Sequence, residues 1–326
     1  MATAQTQPLP TRSAAPSQSP SSLTTPAPPS NNPSTTTKFT PAQTEARTIL
    51  DNLLTELQTS KYASKYSPWI QHNGQPQLLD FCTTLVRPQT WTFLSHRWSL
   101  DALKPLSGDL RYEGRAIYVN GILGLDKRLR IYVGQSTNLR QRVAQHLNFR
   151  YRRDHPCLHY FALQESVYNV LGAVVVVPSS GSASGEVPGM DDVSLLLNVL
   201  EMWMCLVFRS LPEESLREWL PDGDGPVSRK RQMGKEGVVG GLNVACPLDQ
   251  GTDMAERSFV DLGSEPDPLV KRYLKEVRRR KREDEEGNEE DELLQRKKAY
   301  AEKAKGFAQK DTDVHVPQGG QPLRAR

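Results

Sequence analysis

The stretch from residue 115 to residue 134, RAIYVNGILGLDKRLRIYVG, decides how this chain is read. Residues 116–121 and 129–134 are β-prone runs, and the segment between them holds Gly124, Asp126 and Lys127. Two such runs joined by turn-forming residues predict an antiparallel hairpin. Downstream, the spacing predicts a helix over residues 137–149 with Ser136 or Thr137 as its N-cap. Further strands are expected over 157–163 and 172–177, the second apolar throughout and therefore buried. Residues 178–189 read as a surface loop and 191–210 as a strongly apolar helix. After Pro212 come a short helix and a glycine-rich loop carrying Arg229, Lys230 and Arg231, and residues 240–244 close the domain. The expected class is α/β, a small and mainly antiparallel sheet flanked by helices.

Upstream, Ile49, Leu50, Leu53, Leu54 and Leu57 recur at helical spacing and predict an amphipathic helix over 41–60. Residues 41–110 are read as a helical extension packed on the domain at 111–250, with Trp69, Trp91 and Trp98 as core or interface residues. Residues 1–40 are Ser, Thr, Pro, Ala and Gln with almost no large apolar side chains, the composition of a disordered tail. Residues 251–326 form a charged tail. From Pro268 it runs through Arg278–Arg282 into an acidic block ending at Glu292, a single exposed helix or a disordered segment.

The four cysteines, Cys82, Cys157, Cys205 and Cys246, are far apart and form no CxxC pair, which argues against a zinc finger or a disulfide scaffold. His155, Cys157 and His159 lie close together, but a fourth ligand at sensible spacing is missing. No apolar run of about 18 residues occurs, so no membrane span is expected. The net charge of +3 says little, whereas its distribution says more. From Arg115 to Arg153 there are nine Lys or Arg residues and one acid, Asp126. Such an excess suits a polyanion, because phosphate neutralisation supplies most sequence-independent affinity.

Two features point to chemistry. Between Val193 and Phe208 the only charged residue is Glu201, and at about 100° per residue Ser194, Asn198, Glu201 and Cys205 form one thin polar stripe. A carboxylate so placed is costly unless it pairs with an Arg or binds a cation. On the earlier helix, Leu139, Val143 and Leu147 are expected to form the apolar face. Arg142 and His146 run along one rim of it, and Arg140 lies on the other flank.

Ala116-Ile117-Tyr118 followed by Tyr132-Val133-Gly134 resembles the strand pair that names the GIY-YIG nuclease superfamily. Arg142 stands eight residues after Gly134, where that family has its arginine, and His146 follows one turn later as in some members. Glu201 matches the family's metal-ligating glutamate and Asn243 its terminal asparagine. Ala116 replaces the first glycine, and thirteen residues separate Tyr118 from Tyr132.

The resemblance implies a metal-dependent endonuclease that hydrolyses DNA phosphodiesters by in-line attack of water. Glu201 would hold Mg2+ or Mn2+, and Arg142 would stabilise transition-state charge. Tyr118 or Tyr132 would orient or deprotonate the water, with nearby cations lowering its pKa. His146 would share the base role or bind phosphate. Gly134, Arg130, Arg140 and Asn243 are expected at the substrate. Two other readings stand beside this one: a DNA-binding module of the same fold without catalysis, and an interaction or scaffold protein using its charged tail to bind a protein. The clusters at Arg229–Arg231 and Arg278–Arg282 resemble nuclear import signals, so a nuclear or otherwise intracellular location is expected.

Overall fold

A computed structural model describes residues 39–178, 187–220, 240–251 and 262–312. The tail up to Lys38, most of the 178–189 loop and the Arg229–Arg231 cluster lie outside these residues. The predicted hairpin is present as β1 (Arg115–Gly124) and β2 (Leu129–Ser136). Its turn closes with Lys127 at φ 60° and with Asp126 Oδ1 accepting from the Arg128 amide at 3.1 Å. β3 (Ser166–Val177) pairs antiparallel with the other edge of β1, and β4 (Gly240–Gly241) adds a short parallel strand to β2. The order is β3-β1-β2-β4, a small mixed sheet.

Register fixes what each face carries. Tyr118 lies opposite Gly134 and Asn120 opposite Tyr132, so both tyrosines project from one face, because side chains alternate along a strand. Ile117, Val119, Ile131 and Val133 project from the other and join the main core.

That core is completed by helices. α1 (Pro41–Glu56) opens on a capping box in which Thr40 and Gln43 exchange hydrogen bonds, with Pro41 in the first turn. α2 (Ala63–Asn73), α3 (Gln75–Leu85), α4 (Pro88–Ser95) and α5 (Leu100–Leu103) follow. Their buried residues form one continuous cluster with the sheet, so the N-terminal helices are part of the domain's own core. Trp69 and Trp98 are buried in it and Trp91 is partly buried.

The tyrosine face is covered by α6 (Leu139–Leu147) and α8 (Leu158–Gln164), which the short α7 (Phe149–Asp154) connects. Two expectations change here. The helix over 137–149 is two helices that meet at Asn148, whose side chain accepts from the Arg150 and Tyr151 amides. Asn138, rather than Ser136 or Thr137, caps α6. The strand expected over 157–163 is α8 instead. Its buried Leu158 and Ala162 are four apart, and a short apolar run of this kind is ambiguous between helix and strand by pattern alone.

The apolar helix α9 (Val193–Val207) lies on the main-core face, and α10 (Glu213–Trp219) follows it. The charged tail begins as α11 (Pro268–Thr312), whose Leu269 and Val270 are buried against α8 and Leu242. No helix among the described residues is long and apolar enough to cross a membrane.

Candidate functional site

Tyr118 and Tyr132 stand side by side, their ring centroids 6.3 Å apart. α6 crosses this face and buries Leu139 and Val143 beside Ala116 and Tyr118. At its last turn His146 faces inward while Leu147 is 69% exposed, which corrects the expected apolar face. The cause is the helix end: α6 stops at Leu147, and the chain turns away at Asn148.

His146 Nε2 lies 2.8 Å from Tyr118 Oη, and its Nδ1 lies 3.1 Å from Tyr160 Oη on α8. Arg142 Nε donates to Tyr118 Oη at 3.2 Å, and Nη1 reaches Gln145 and Tyr151. His159 stacks on Tyr132 with centroids 3.9 Å apart and planes 4° from parallel. The Asn120 amide, 3.0 Å from His159 Nε2, fixes that ring. His159 is therefore engaged in the aromatic cluster rather than grouped with His155 and Cys157.

The electrostatics run against one expectation. Burial pushes the Tyr118 phenol up to about 12, although Arg142 pulls the other way. Tyr132 is raised well above its ordinary value for the same reason. The imidazole of His146 is pushed down to about 3 by burial, then by Arg142 and Arg152. Desolvation thus outweighs the arginine field, and at neutral pH both tyrosines are protonated and His146 is neutral.

Glu201 sits on α9 in the opposite layer, 4% exposed. The alternative of an Arg partner does not hold: among the described residues it makes no ion pair. Gln250 Nε2 donates to its Oε2 at 2.6 Å. Burial raises its pKa to about 7, and the bond from Gln250 and one from Gln135 offset only part of that rise. Gln135 Nε2 also donates to Gln250 Oε1 at 2.6 Å and to Asn198 Oδ1 at 2.8 Å, so two glutamines form a clasp over the carboxylate. Its charge is near enough to act on both phenols.

The two layers meet at the end of β2 in a cleft of about 470 Å³. Gln135, Gln141, Arg142, Asn198 and Gln250 are among its lining residues. The cleft thus joins the arginine of α6 to the amides that cover Glu201.

The remaining candidates serve the framework. A Cβ at Gly134 would lie 2.4 Å from Tyr118 Oη, so glycine is required to admit that phenol. Arg130 is fully buried and gripped by Asp126 and Asp267, which corrects its assignment to substrate. A side chain in the interior with both carboxylates satisfied presents no charge to a ligand. Asn243 is corrected likewise. Its side chain accepts from the Val133 amide at 2.9 Å and donates to the Val133 carbonyl at 2.8 Å, imitating a neighbouring strand. Arg140 is 63% exposed in its side chain and paired with Glu113, away from the phenols.

Sequence reasoning missed Asn120, His159, Tyr160, Gln135 and Gln250. Asn120 was readable, since it alternates with Tyr118 along one strand. Gln250 gives no local signal, because it reaches Glu201 from 49 residues away through an irregular turn.

Among the described residues no group of three or more His, Cys, Asp or Glu side chains is placed to hold a metal. At Glu201 the carboxylate is the one anionic donor: Gln250 turns its N–H toward it, while Gln250 Oε1 and Asn198 Oδ1 accept from Gln135 Nε2. A hard cation that keeps several waters and shares its charge with a phosphate needs no more than one such carboxylate, but would have to displace the Gln250 N–H. No family model matches this chain, and no curated protein or solved structure matches it.

Proposed function

We propose that the chain is a Mg2+- or Mn2+-dependent endonuclease of GIY-YIG type, hydrolysing DNA phosphodiester bonds. The observation that carries this reading is the position of Arg142. Its guanidinium bonds Tyr118 and lines the same cleft as the amides over Glu201. One residue thus links the Tyr118 phenol to the amides that cover the buried carboxylate.

Arg142 would bind the phosphodiester and stabilise the extra negative charge of the transition state. Glu201 would hold the cation, which supplies charge neutralisation at the phosphate and the leaving oxygen when bound. Drawing Arg142 onto a phosphate frees the lone pair of Tyr118 Oη that its Nε now occupies, and a water can take that place. As the water oxygen bonds to phosphorus, the opposite P–O bond breaks with its electron pair on the departing oxygen, whose charge the cation would offset until solvent protonates it. The water's proton passes to Tyr118 Oη. The phenol's own proton passes to His146 Nε2 as a proton leaves the opposite ring nitrogen, so the imidazole never holds the positive charge that its low pKa opposes. A phenol that hands on its proton needs no standing negative charge, which its high pKa forbids. Tyr132, clamped by His159, would orient the water.

The test is purified protein with magnesium on supercoiled plasmid and on labelled flaps, forks and junctions. Loss of cleavage in Glu201→Ala and Arg142→Ala supports the site; undiminished cutting by both removes it.

A second reading is favoured by one observation, the glutamine clasp over Glu201. A clasp that never opens leaves a module that binds DNA without cutting it. Salt-dependent binding without cleavage of any substrate in the panel would establish that reading. The acidic and basic blocks of α11 offer a surface for a protein partner. The basic clusters are the support for a nuclear or otherwise intracellular location.

A further inference from the structure

We propose that Tyr160 is a positioning residue of this site: by accepting the Nδ1 proton of His146 it stabilises, together with sealed Tyr118, the tautomer that can take the Tyr118 proton. The inference rests on the nuclease reading for its consequence, but its geometry stands alone.

A proton count around three rings carries it. Tyr118 Oη accepts from Arg142 Nε, which can only donate. Tyr118 is fully buried, and His146 Nε2 at 2.8 Å is the acceptor within reach of its hydroxyl hydrogen. Nε2 must then be bare, and a neutral imidazole so disposed carries its proton on Nδ1. That N–H faces Tyr160 Oη at 3.1 Å, which accepts it.

The reverse arrangement puts the proton on Nε2 and makes Tyr160 the donor to Nδ1. Tyr118 Oη would then accept from both Arg142 and His146, and its own hydrogen would point into a sealed interior. An unsatisfied buried donor of this kind is costly. Tyr160 has the freedom that Tyr118 lacks. Tyr160 is buried at 4% exposure but lines a cavity of about 380 Å³ between α8 and α11, with Arg152, Cys157 and Tyr273, and that cavity is the space its hydrogen would turn into. The two ends of the relay are therefore unequal, Tyr118 sealed and Tyr160 beside a cavity, and that inequality favours the proton order from Tyr118 through His146 to Tyr160.

Nitrogen-15 NMR of the histidine-labelled full chain tests this without any substrate, with the His146 signals identified by their loss in His146→Gln. The expected result is the Nδ1–H tautomer in the unsubstituted protein and a mixture of the two tautomers in Tyr160→Phe. An Nε2–H tautomer in the unsubstituted protein, or no change in Tyr160→Phe, overturns the proposal. If the protein cleaves DNA, Tyr160→Phe lowers kcat by roughly 10-fold with KM unchanged. An equal kcat overturns the role in the reaction. Absence of cleavage by the unsubstituted protein fails the nuclease reading alone, since the tautomer is read in either case.

Discussion

Arg130 and Asp267 meet across 137 residues through two hydrogen bonds, Nε to Oδ2 at 2.7 Å and Nη2 to Oδ1 at 2.6 Å. The guanidinium is completely buried, and the carboxylate stands at the head of α11. Removing one partner of a buried pair leaves a charge without compensation, at a cost of roughly 3–5 kcal/mol. Asp126 stays in place as a second partner, so Asp267→Ala is expected near the lower end of that range. Urea unfolding with an unchanged slope and a lowered midpoint would show it. A variant as stable as its parent would mean that α11 is not held by this pair.

The buried carboxylate of Glu201 gives a prediction with a definite sign. Its pKa rises from 4.5 to about 7 on folding, so the fold favours the protonated form. That contribution is present in full below 4.5 and is lost as the pH rises through 7. Glu201→Gln should therefore gain stability relative to the parent between pH 4 and pH 8, by an amount on the order of 3 kcal/mol. Thermal melts at both pH values decide it, and an equal difference at the two would refute it.

Metal binding should reverse that penalty. A cation bound by the ionised carboxylate stabilises the folded state by mass action. Millimolar Mg2+ at pH 8 is expected to raise the Tm of the parent and leave that of Glu201→Gln where it was. An identical rise in both proteins would place the ion elsewhere.

Gly134 is predicted to be intolerant even of alanine. The added carbon would sit 2.4 Å from Tyr118 Oη and 2.6 Å from Cζ, and overpacking of this kind costs roughly 1–3 kcal/mol. Combined with Tyr118→Leu, the two losses should fall short of their sum, because the second change removes the ring that the first collides with. Strict additivity would mean that the two residues do not touch.

Asn243 holds both the N–H and the C=O of Val133. Asn243→Ala leaves two buried backbone groups without partners, each costing roughly 1–3 kcal/mol. Hydrogen exchange at the Val133 amide should quicken by more than exchange at Val119, which lies on the inner strand β1. Equal protection at the two positions would contradict the strand-mimic role.

The parts of the fold legible from the chain were those with a strong local period. The hairpin and the α1 and α9 helices follow from alternation, spacing and capping residues that act within a few positions. The α8 segment was misread because its seven residues fit either period, and contacts with β1 and α11 decide between them. At the site, Tyr118, Arg142 and His146 do converge, since one strand and one helix carry them. Arg130 and Asn243 look like ligand-binding groups in the sequence. Only tertiary partners that are 137 and 110 residues away reveal them as structural.

The long reach of Asp267 also bears on how the chain is made. Synthesis runs from the N-terminus, so the β1–β2 hairpin leaves the ribosome well before the carboxylate that completes its guanidinium cage. Until then Arg130 has only Asp126 to share its charge, and the sheet carrying the two phenols lacks its final brace. Completion of the hairpin's interior is thereby timed to the arrival of a late segment, and a nascent protein stalled before that point would hold Arg130 with half of its cage.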